Sequence, residues 1–363
     1  MRTYKPTVQG NFLQIKKMLT ELEKAKRPLI CAGGGVNLSH ANSELREFIE
    51  KNNIPVVSTM MGIGCLPTKH PLYFGMVGNN GKHYANRAMR DADLIILVGA
   101  RVADRAVNQP DLITENKVMI HIDVDPAEIG KNCGPTIPIV GDAKSIFSDM
   151  NKEEITTKTG EWLETLNHYK ETMLIKRTTD DNYTDPKEFI IKLSDKMKDD
   201  AVYVADVGQN QIWSCSYHEV KNGMFLTSGG MGTMGYSIPA AMGAKLADRK
   251  RQVVAVCGDG SFQMSMMEFA TMRQENVPCK VVVLKNGYLG MVREYQQFTY
   301  KENYSVVELN DYPNLELLSK AYGINYIKVN NNSEIDKALD KFLENEDSYI
   351  MEVSVNPFDI VRG

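Results

Sequence analysis

Short apolar runs alternate with amphipathic stretches along most of the chain. The runs at residues 94–98 (LIILV) and 253–257 (VVAVC) are apolar at every position, which is typical of parallel strands covered on both faces. Between such runs, apolar residues recur at helical spacing, as in residues 12–25. This alternation predicts an α/β protein built from two doubly wound parallel-sheet domains.

The predicted elements fall into two groups. In the first half we expect helices at 12–25, 43–51 and 85–89, with strands at 28–32, 55–58, 94–98 and 118–123. In the second half we expect strands at 202–205, 225–227, 253–257, 280–284, 324–328 and 349–353, with helices at 237–246, 265–274, 315–322 and 333–345. The polar stretch between them carries one helix, at 159–175. We therefore predict a first domain at 1–150, a linker at 151–185 and a second domain at 186–363.

Composition excludes several classes of function. A length of 363 residues suits two domains, and a net charge of −4 gives no electrostatic footprint for nucleic acid. No apolar run reaches the ~20 residues that a membrane span needs, and the first residues contain no apolar signal region. We expect a cytoplasmic protein that binds neither nucleic acid nor membrane. The six cysteines form no CxxC pair, and Cys31 and Cys257 are expected to be buried in strands as small hydrophobes.

The strongest chemical signal lies at the ends of two neighbouring strands. Gly258-Asp259-Gly260 follows one apolar strand, and Lys285-Asn286 follows the next. The carboxyl ends of parallel strands are where α/β folds bind ligands. Asp259 offers hard oxygen ligands to Mg²⁺, Asn286 can add an amide oxygen, and the glycines let backbone N–H groups approach a phosphate. A Gly-Asp-Gly tripeptide by itself is also common in ordinary turns.

The sequence around these residues resembles a known family. The segments GDGSFQMSMMEFATMRQENVP and VVVLKNGYLGMVREYQQ, and GGMGTMGYSIPAAMGA at 229–244, are similar to the acetolactate synthase (acetohydroxyacid synthase) catalytic subunit. So are GGGV at Gly33, TMMGIGCLP at Thr59, GAR at Gly99 and HIDVDPAEIGK at His121. The resemblance implies a thiamine-diphosphate-dependent enzyme of branched-chain amino acid biosynthesis. Such an enzyme decarboxylates pyruvate and joins the remainder to a second 2-keto acid, which gives 2-acetolactate or 2-aceto-2-hydroxybutyrate.

The resemblance also implies a cofactor site in the second domain. Asp259, Asn286 and the backbone carbonyl of Tyr288 are expected to bind Mg²⁺. The residues expected around thiamine diphosphate are Val207, Gly208, Gln209, Asn210, Gly260, Ser261, Leu289, Gly290, Met291 and Val292. The chain departs from the family pattern at Asn210, where a histidine is usual, and at Lys285, where an asparagine is usual. Lys285 either helps to neutralise phosphate or points to solvent, and we favour solvent.

Three further residues are expected to act in catalysis. By resemblance, Met234 is the bulky residue beneath the bent cofactor, and the Gly232 carbonyl receives the amino proton of the aminopyrimidine. A thioether suits the first role because it is large, polarizable and unreactive. Tyr295 stands where the family has a tryptophan that favours 2-ketobutyrate. Plain helix packing is the alternative for Tyr295, and ordinary core packing is the alternative for Met234.

The first domain resembles the family's FAD-binding domain, in which FAD would have no redox role. The residues expected at this site are Gly33, Gly34, Gly35, Thr59, Met60, Gly75, Met76, Gly99, Ala100, Arg101, Arg105, Asp123, Asp142 and Ala143. Glycines after a strand suit a pyrophosphate, the arginines can pair with phosphate, and Asp123 can reach a ribose hydroxyl. Val77 replaces a histidine and Ala103 an aspartate of the family. We expect FAD at this site. The alternative is that the domain binds ADP or no nucleotide, as related domains of this fold do.

The resemblance finally predicts partners. In the family, a pyrimidine-binding domain precedes the region matched here and supplies the glutamate that starts catalysis. We therefore expect a fragment or split subunit that needs such a domain or chain, forms a dimer or larger homo-oligomer, and can have a regulatory subunit. Two alternatives remain: another thiamine-dependent carboligase or 2-keto-acid decarboxylase, and a cofactor-binding subunit with no activity of its own. Val77, Ala103 and Tyr295 keep the first alternative open.

Overall fold

The computed structural model describes residues 6–103, 105–107, 111–173 and 182–361. The chain divides into two compact units, Met1–Ile175 and Lys176–Gly363. The first unit contains a six-stranded sheet in which all the strand pairs are parallel. The second unit also contains a six-stranded sheet whose strand pairs are all parallel. The prediction of two doubly wound α/β domains is confirmed.

The first unit alternates strands and helices from its beginning. Its strands are β1 (Pro28–Ala32), β2 (Val56–Ser58), β3 (Tyr73–Met76), β4 (Leu94–Val98), β5 (Val118–Asp123) and β6 (Ile137–Val140). Its helices are α1 (Phe12–Lys24), α2 (Gly34–Leu38), α3 (Asn42–Asn52), α4 (His83–Asp91), α5 (Asp111–Thr114), α6 (Ala143–Met150) and α7 (Gly160–Thr172). A 3-10 turn spans Met60–Gly62.

The strand order of the first sheet places its switch point beside β1. The order is β3-β2-β1-β4-β5-β6, so the chain runs outward from β1 in one direction and then, from β4, in the other. Successive residues of β1 enter opposite cores: Ile30 joins one apolar cluster and Leu29 the other. This arrangement explains why the central strands are apolar at every position.

The second unit repeats the architecture with its own topology. Its strands are β7 (Val202–Ala205), β8 (Met224–Thr227), β9 (Val253–Gly258), β10 (Lys280–Lys285), β11 (Asn325–Val329) and β12 (Tyr349–Ser354). Its helices are α8 (Pro186–Lys196), α9 (Gln209–Tyr217), α10 (Ser237–Ala247), α11 (Asp259–Ser265), α12 (Glu268–Gln274), α13 (Gly290–Thr299), α14 (Leu315–Tyr322) and α15 (Ile335–Leu343). A 3-10 turn spans Asn332–Glu334.

The second sheet has the order β11-β12-β10-β9-β7-β8. Its switch point lies at β7, which has β8 on one side and β9 on the other. The three adjacent strands β7, β9 and β10 are buried along their length, apart from the half-buried last residues of β9 and β10. The predicted glycine and carboxylate motifs follow directly from the carboxyl ends of these three strands.

Two strands were missed by the sequence pattern, and both lie at the edges of the first sheet. β3 contains Gly75 and β6 contains Pro138, which break an apolar run. Glycine and proline are tolerated on edge strands because fewer ladder hydrogen bonds depend on them. The helix predicted at 265–274 corresponds to α12, which begins later, at Glu268, and a separate helix, α11, occupies Asp259–Ser265 before it.

The helix α7, which the sequence analysis assigns to the linker 151–185, packs on the first unit. The Trp162 indole donates to the Pro28 carbonyl at 3.0 Å, and Tyr169 donates to Asp91 at 2.9 Å. Trp162 and Leu166 are buried in the core beside Leu29. Residues 174–181 of the predicted linker lie outside the described residues. The domain limits at 150 and 186 therefore stay predictions, with α7 belonging structurally to the first unit.

All six cysteines are buried and free, so the prediction for Cys31 and Cys257 is confirmed. In the part of the chain that the structure describes, no helix combines the length and the hydropathy that crossing a membrane requires.

A buried histidine lies in the core of the second unit. His218 Nδ1 lies 2.7 Å from the Ser194 hydroxyl, and its ring stacks on Tyr203 with centroids 4.0 Å apart. Burial, aided by the nearby Lys221 charge, lowers the pKa of His218 to about 3. The folded protein therefore holds this imidazole neutral over a pH range in which an exposed histidine binds a proton.

We expect acid to destabilise the fold through His218. Below the unfolded pKa of about 6.5 the unfolded chain binds a proton that the folded chain refuses. The free energy of unfolding should thus fall by about 1.4 kcal/mol per pH unit from this residue as the pH drops below about 6. Denaturant titrations between pH 4 and 8 should show a shallower acid slope for His218→Asn. The exposed His83, changed to Asn, is the control. Equal slopes for wild type and His218→Asn would contradict the assignment.

Candidate diphosphate and metal site

Three loops meet at the carboxyl edge of the second sheet because the strands before them are neighbours. β9 pairs with β7 on one side and with β10 on the other. The loops comprise residues 206–208 after β7, the turn into α11 at Gly258-Asp259, and residues 286–289 after β10. Since β7 is the switch point of the sheet, this is the place where a doubly wound fold leaves a crevice for a ligand.

Asp259 lies at the centre of these loops. Its side chain is buried, with 1% of the residue exposed. One carboxylate oxygen accepts from the Gly260 N–H at 3.0 Å, and the other accepts from the Gly287 N–H at 2.7 Å. Burial nevertheless outweighs these bonds and raises the pKa of Asp259 to about 6. Because burial disfavours the negative charge of this carboxylate, a bound cation would stabilise it, and Asp259 is therefore a suitable cation ligand.

The loop after β10 brings Asn286 to the same place. Gly287, at a φ of +74°, makes the turn whose N–H reaches Asp259. The Asn286 side-chain oxygen accepts from the Tyr288 N–H at 2.9 Å, and its amide group donates to the Gln209 side-chain oxygen at 3.1 Å. Backbone bonds from Leu289 to Val307 and from Leu309 to Gly287 fasten the loop on its far side.

The loop after β7 forms the third wall. Gly208, at a φ of +126°, precedes α9, which starts at Gln209. The Val207 carbonyl accepts from the Asn210 amide at 3.2 Å and from the Ser261 hydroxyl at 3.1 Å. The side-chain oxygen of Asn210 is buried without a hydrogen-bond partner among the described residues. A buried polar atom without a partner, next to the turn at Gly208, indicates a site that binds a polar ligand.

These observations fit a metal-bound diphosphate. A cation would be held by the Asp259 carboxylate, the Asn286 oxygen and the Tyr288 carbonyl, all of which are oxygen donors that Mg²⁺ prefers. α11 begins at Asp259, so its amino-terminal end, where an anion is favoured, lies at the same crevice. Among the described residues there is no cluster of three acidic, histidine or cysteine side chains that could hold a metal. The candidate set therefore rests on one carboxylate with neutral oxygens.

One organising residue escaped the sequence analysis. Asp206, fully buried directly after β7, accepts from the N–H groups of Val207 at 2.8 Å, Gly235 at 3.0 Å and Ser237 at 2.7 Å. It thereby fastens the glycine-rich segment before α10 to the loop after β7. The sequence does contain a signal for this role, because Asp206 is a carboxylate that directly follows an apolar strand and precedes Val207-Gly208.

Met234 lies next to the candidate metal loop. A Cβ added to Gly260 would lie 3.3 Å from the Met234 methyl and 2.8 Å from the Leu289 side chain. The structure therefore brings Met234, Gly260 and Leu289 together. Gly232 adopts a φ of +65°, a conformation that favours glycine.

The helix α13 carries the remaining predicted residues of this site. It begins at Gly290, with Met291 half-buried and Val292 46% exposed. Tyr295 is 58% exposed and meets Tyr300 edge-on, with ring centroids 5.8 Å apart. An exposed aromatic ring on this helix is free to contact a substrate or a partner.

The prediction for Lys285 is wrong. Its ammonium group lies 3.3 Å from a Glu352 carboxylate oxygen and 5.0 Å from the centre of the Tyr312 ring. Glu352 also accepts from the Tyr326 hydroxyl at 2.9 Å. Lys285 therefore turns towards the buried Glu352 carboxylate on the neighbouring strand. A buried negative charge without a partner would be strongly destabilising, and this cost exceeds the gain from hydrating the lysine.

The candidate nucleotide residues of the first unit gather at one sheet edge. Gly33 and Gly34 follow β1, Thr59 and Met60 follow β2, Gly75 and Met76 end β3, Gly99, Ala100, Arg101 and Arg105 follow β4, Asp123 ends β5, and Asp142 and Ala143 follow β6. Gly35 and Gly99 touch: a Cβ on Gly35 would lie 2.6 Å from the Gly99 Cα. A Cβ on Gly33 would lie 2.1 Å from the Gly99 carbonyl oxygen. Backbone packing thus already requires these glycines.

The charged residues at this edge have mixed surroundings. Asp142 caps α6 by accepting from the Ser145 N–H at 3.2 Å, and Asp123 accepts from the Asp125 N–H at 2.9 Å. Arg101 and Arg105 are exposed. The edge therefore suits a nucleotide by its position and its arginines, whereas the caps and glycine contacts have structural explanations of their own.

Comparison with protein families matches both units. Residues 15–150 match the family model described as thiamine pyrophosphate enzyme, central domain. Residues 206–353 match the model described as thiamine pyrophosphate enzyme, C-terminal TPP binding domain. The crevice of Asp206, Asp259 and Asn286 lies within the second match.

Comparison with curated proteins finds relatives named acetolactate synthase large subunit. The chain is 40% identical to the one of Lactococcus lactis subsp. lactis over 94% of its own length and 60% of the relative. It is 36% identical to isozyme 3 of Escherichia coli over 95% of itself and 61% of the relative. A protein of Methanococcus aeolicus, named a probable acetolactate synthase large subunit, is 36% identical over 98% and 62%. The chain thus spans about three fifths of the length of these relatives.

We expect Gly290→Ala to damage the crevice specifically. A Cβ at this position would lie 2.0 Å from the Gln209 side-chain oxygen and 2.7 Å from the Asn286 amide nitrogen. The methyl group must push both side chains aside, which should weaken Mg²⁺ and thiamine diphosphate binding about tenfold or more. Calorimetric titration of the two ligands measures this.

Gly243→Ala is the matched control for that variant. Gly243 is also a helical glycine of the second unit, and an added Cβ would have nothing within 4 Å. Its ligand affinity should stay unchanged, since alanine only improves helix propensity. Similar ligand affinities for Gly290→Ala and Gly243→Ala would refute the proposed contact.

Proposed function

Because the chain belongs to the thiamine pyrophosphate enzymes, with their central and C-terminal TPP binding domains, we propose that it is the cofactor-binding part of an acetolactate synthase. The proposal draws on relatives of 35–40% identity that carry this name. The single observation that carries it is the buried Asp259 carboxylate, bonded to Gly287 at the end of the adjacent strand. The reaction joins two 2-keto acids, of which pyruvate is the proposed donor.

The residues of the second unit divide the work of binding. Asp259, Asn286 and the Tyr288 carbonyl would hold Mg²⁺, and the bound ion would supply positive charge for the diphosphate. Val207, Gly208 and Asn210 line the crevice from the side of β7. When bound, thiamine diphosphate supplies an electron sink for the decarboxylation of a 2-keto acid. The chain holds that cofactor in place by charge and shape, and keeps water from the buried carboxylate.

Met234 and Gly232 are proposed to set the conformation of the cofactor. The methyl group of Met234 lies beside Gly260, so it can support a ligand whose diphosphate lies at the start of α11. Gly232 presents a backbone carbonyl from a segment that Asp206 holds through Gly235. These positions suit a wedge beneath the cofactor and an acceptor for a proton of its amino group.

Substrate choice and partners follow from the same resemblance. Tyr295, exposed near the start of α13, is proposed to contact the second 2-keto acid. A pyrimidine-binding domain or chain, and assembly as a homodimer, are proposed to complete the active site. A regulatory subunit and a cytoplasmic location stay proposals.

We propose FAD as a structural cofactor of the first unit. Support comes from the loops at the carboxyl edge around β1 and β4, the switch point of that sheet. Arg101 and Arg105, both exposed at this edge, are the proposed phosphate partners. No redox step is assigned to the flavin.

The binding site is tested with Asp259→Asn. Wild-type chain should gain stability from thiamine diphosphate with Mg²⁺, by about 2.7 kcal/mol when the ligand is at a hundred times its Kd. Asp259→Asn should lose this gain because a neutral amide cannot balance the cation. Asp200→Asn removes an exposed carboxylate just before β7, at the other end of the sheet, and should behave as wild type. Thermal unfolding with and without ligands measures the difference.

Turnover is the second part of that test. Wild type mixed with pyruvate, Mg²⁺, thiamine diphosphate and a pyrimidine-binding domain should form acetolactate, and Asp259→Asn should form none. Ligand-induced stabilisation that survives in Asp259→Asn would refute the site. Binding without acetolactate in the complete mixture would refute the proposed reaction and retain the cofactor site.

The FAD proposal predicts a yellow protein. Purified chain supplied with FAD should retain flavin absorbance near 450 nm after gel filtration, and Arg101→Ala with Arg105→Ala should release it. Lys26→Ala serves as a control, since Lys26 is an exposed cation before β1, at the other end of the same sheet. Retention of ADP with no retention of FAD would overturn the flavin and favour the nucleotide alternative.

A further inference from the structure

A relay of side-chain hydrogen bonds, formed by Glu294, Gln209 and Asn286, ends at the candidate metal ligand Asn286. Glu294 accepts from the Gln209 amide at 3.1 Å, and the Gln209 oxygen accepts from the Asn286 amide at 3.1 Å. Glu294 and Gln209 are each only 4% exposed. The three residues come from α13, α9 and the loop after β10, so only the fold brings them together.

The orientation of the Gln209 amide is fixed by its partners. Its nitrogen donates to the Glu294 carboxylate and, at 2.8 Å, to the Asp359 backbone carbonyl. Both partners are hydrogen-bond acceptors, one a carboxylate and the other a backbone carbonyl. The nitrogen of Gln209 must therefore face them, and its oxygen must face Asn286.

The orientation of Asn286 follows from that of Gln209. Facing an oxygen, Asn286 must present its nitrogen as the donor, which leaves its own oxygen on the opposite side. That oxygen accepts from the Tyr288 N–H and keeps a second lone pair for a cation. The reverse orientation would set the amide hydrogens of Asn286 against the metal.

Glu294 is itself held in place. Its carboxylate accepts from the Val361 N–H at 3.0 Å, and the Asp359 carbonyl also accepts from Arg293 at 3.3 Å. Arg293, 1% exposed, lies against the Phe358 ring with its guanidinium carbon 5.2 Å from the centroid. The segment 358–361 thus packs on α13 and fixes the distant end of the relay.

We propose that Glu294 is a positioning residue, which acts through Gln209 to turn the Asn286 oxygen towards the metal. The proposal rests on the proposed function of the crevice, because it assigns Asn286 to a cation. Outer partners of this kind typically change metal affinity by 10–100-fold when removed. We expect the lower end of that range, since the Tyr288 N–H supports the same orientation.

The test is a double-mutant cycle read by Mn²⁺ affinity. Free Mn²⁺ is followed by electron paramagnetic resonance in the presence of saturating thiamine diphosphate. Glu294→Ala should weaken Mn²⁺ binding about tenfold in the wild-type background. Glu294→Gln should restore most of the affinity, because its side-chain oxygen can still accept from Gln209 and from Val361.

The Asn286→Asp background separates positioning from general structure. A carboxylate has two equivalent oxygens, so its orientation no longer depends on Gln209. In that background Glu294→Ala should leave the Mn²⁺ affinity unchanged or raise it, since Gln209 is then free to donate to Asp at 286. The non-additivity of the two changes measures the coupling.

The outcomes distinguish the two proposals. Equal weakening by Glu294→Ala in both backgrounds, or no weakening in either, would overturn the relay and leave the crevice intact as a metal site. Failure of the wild-type chain to bind Mn²⁺ with thiamine diphosphate would overturn the proposed function itself. Thermal unfolding without ligands checks that every variant is folded.

Discussion

The second unit depends on one buried carboxylate that reaches between two strands. Asp259 directly follows β9 as the first residue of α11, and its bond to the Gly287 N–H joins it to the loop after β10. Burial raises the pKa of Asp259 to about 6, which records the cost of a negative charge among apolar strands. A cation in the crevice would offset that cost. The same residue thus links the packing of the sheet to the binding of a ligand.

A second buried carboxylate supports the first from the neighbouring strand. Asp206 gathers three backbone N–H groups and so fixes the positions of Val207 and of the segment from Gly235 to Ser237. Because β7 is the switch point of the sheet, these segments diverge to opposite faces. The crevice between them therefore results from the strand order. Asp206 and Asp259 hold the loops around it in place by accepting hydrogen bonds from backbone N–H groups.

Much of the architecture could be predicted from periodicity. Strands β4, β5 and β7 lie where the apolar runs placed them, because a central parallel strand must be apolar on both faces. The edge strands β3 and β6 could not be recognised, since Gly75 and Pro138 interrupt them and burial on an edge is incomplete. The predicted linker helix proved to pack on the first unit because Trp162 finds a carbonyl partner at Pro28.

The sequence by itself determined the fold class, the family resemblance and the positions of Asp259 and Asn286, because these follow from strand ends and short motifs. Tertiary structure alone decided what long-range partners do. It turned Lys285 towards Glu352, and it placed Glu294 behind Gln209, 85 residues away along the chain. The reason is physical: periodicity reports which face of an element is buried, whereas a hydrogen bond between distant residues depends on how separate elements pack.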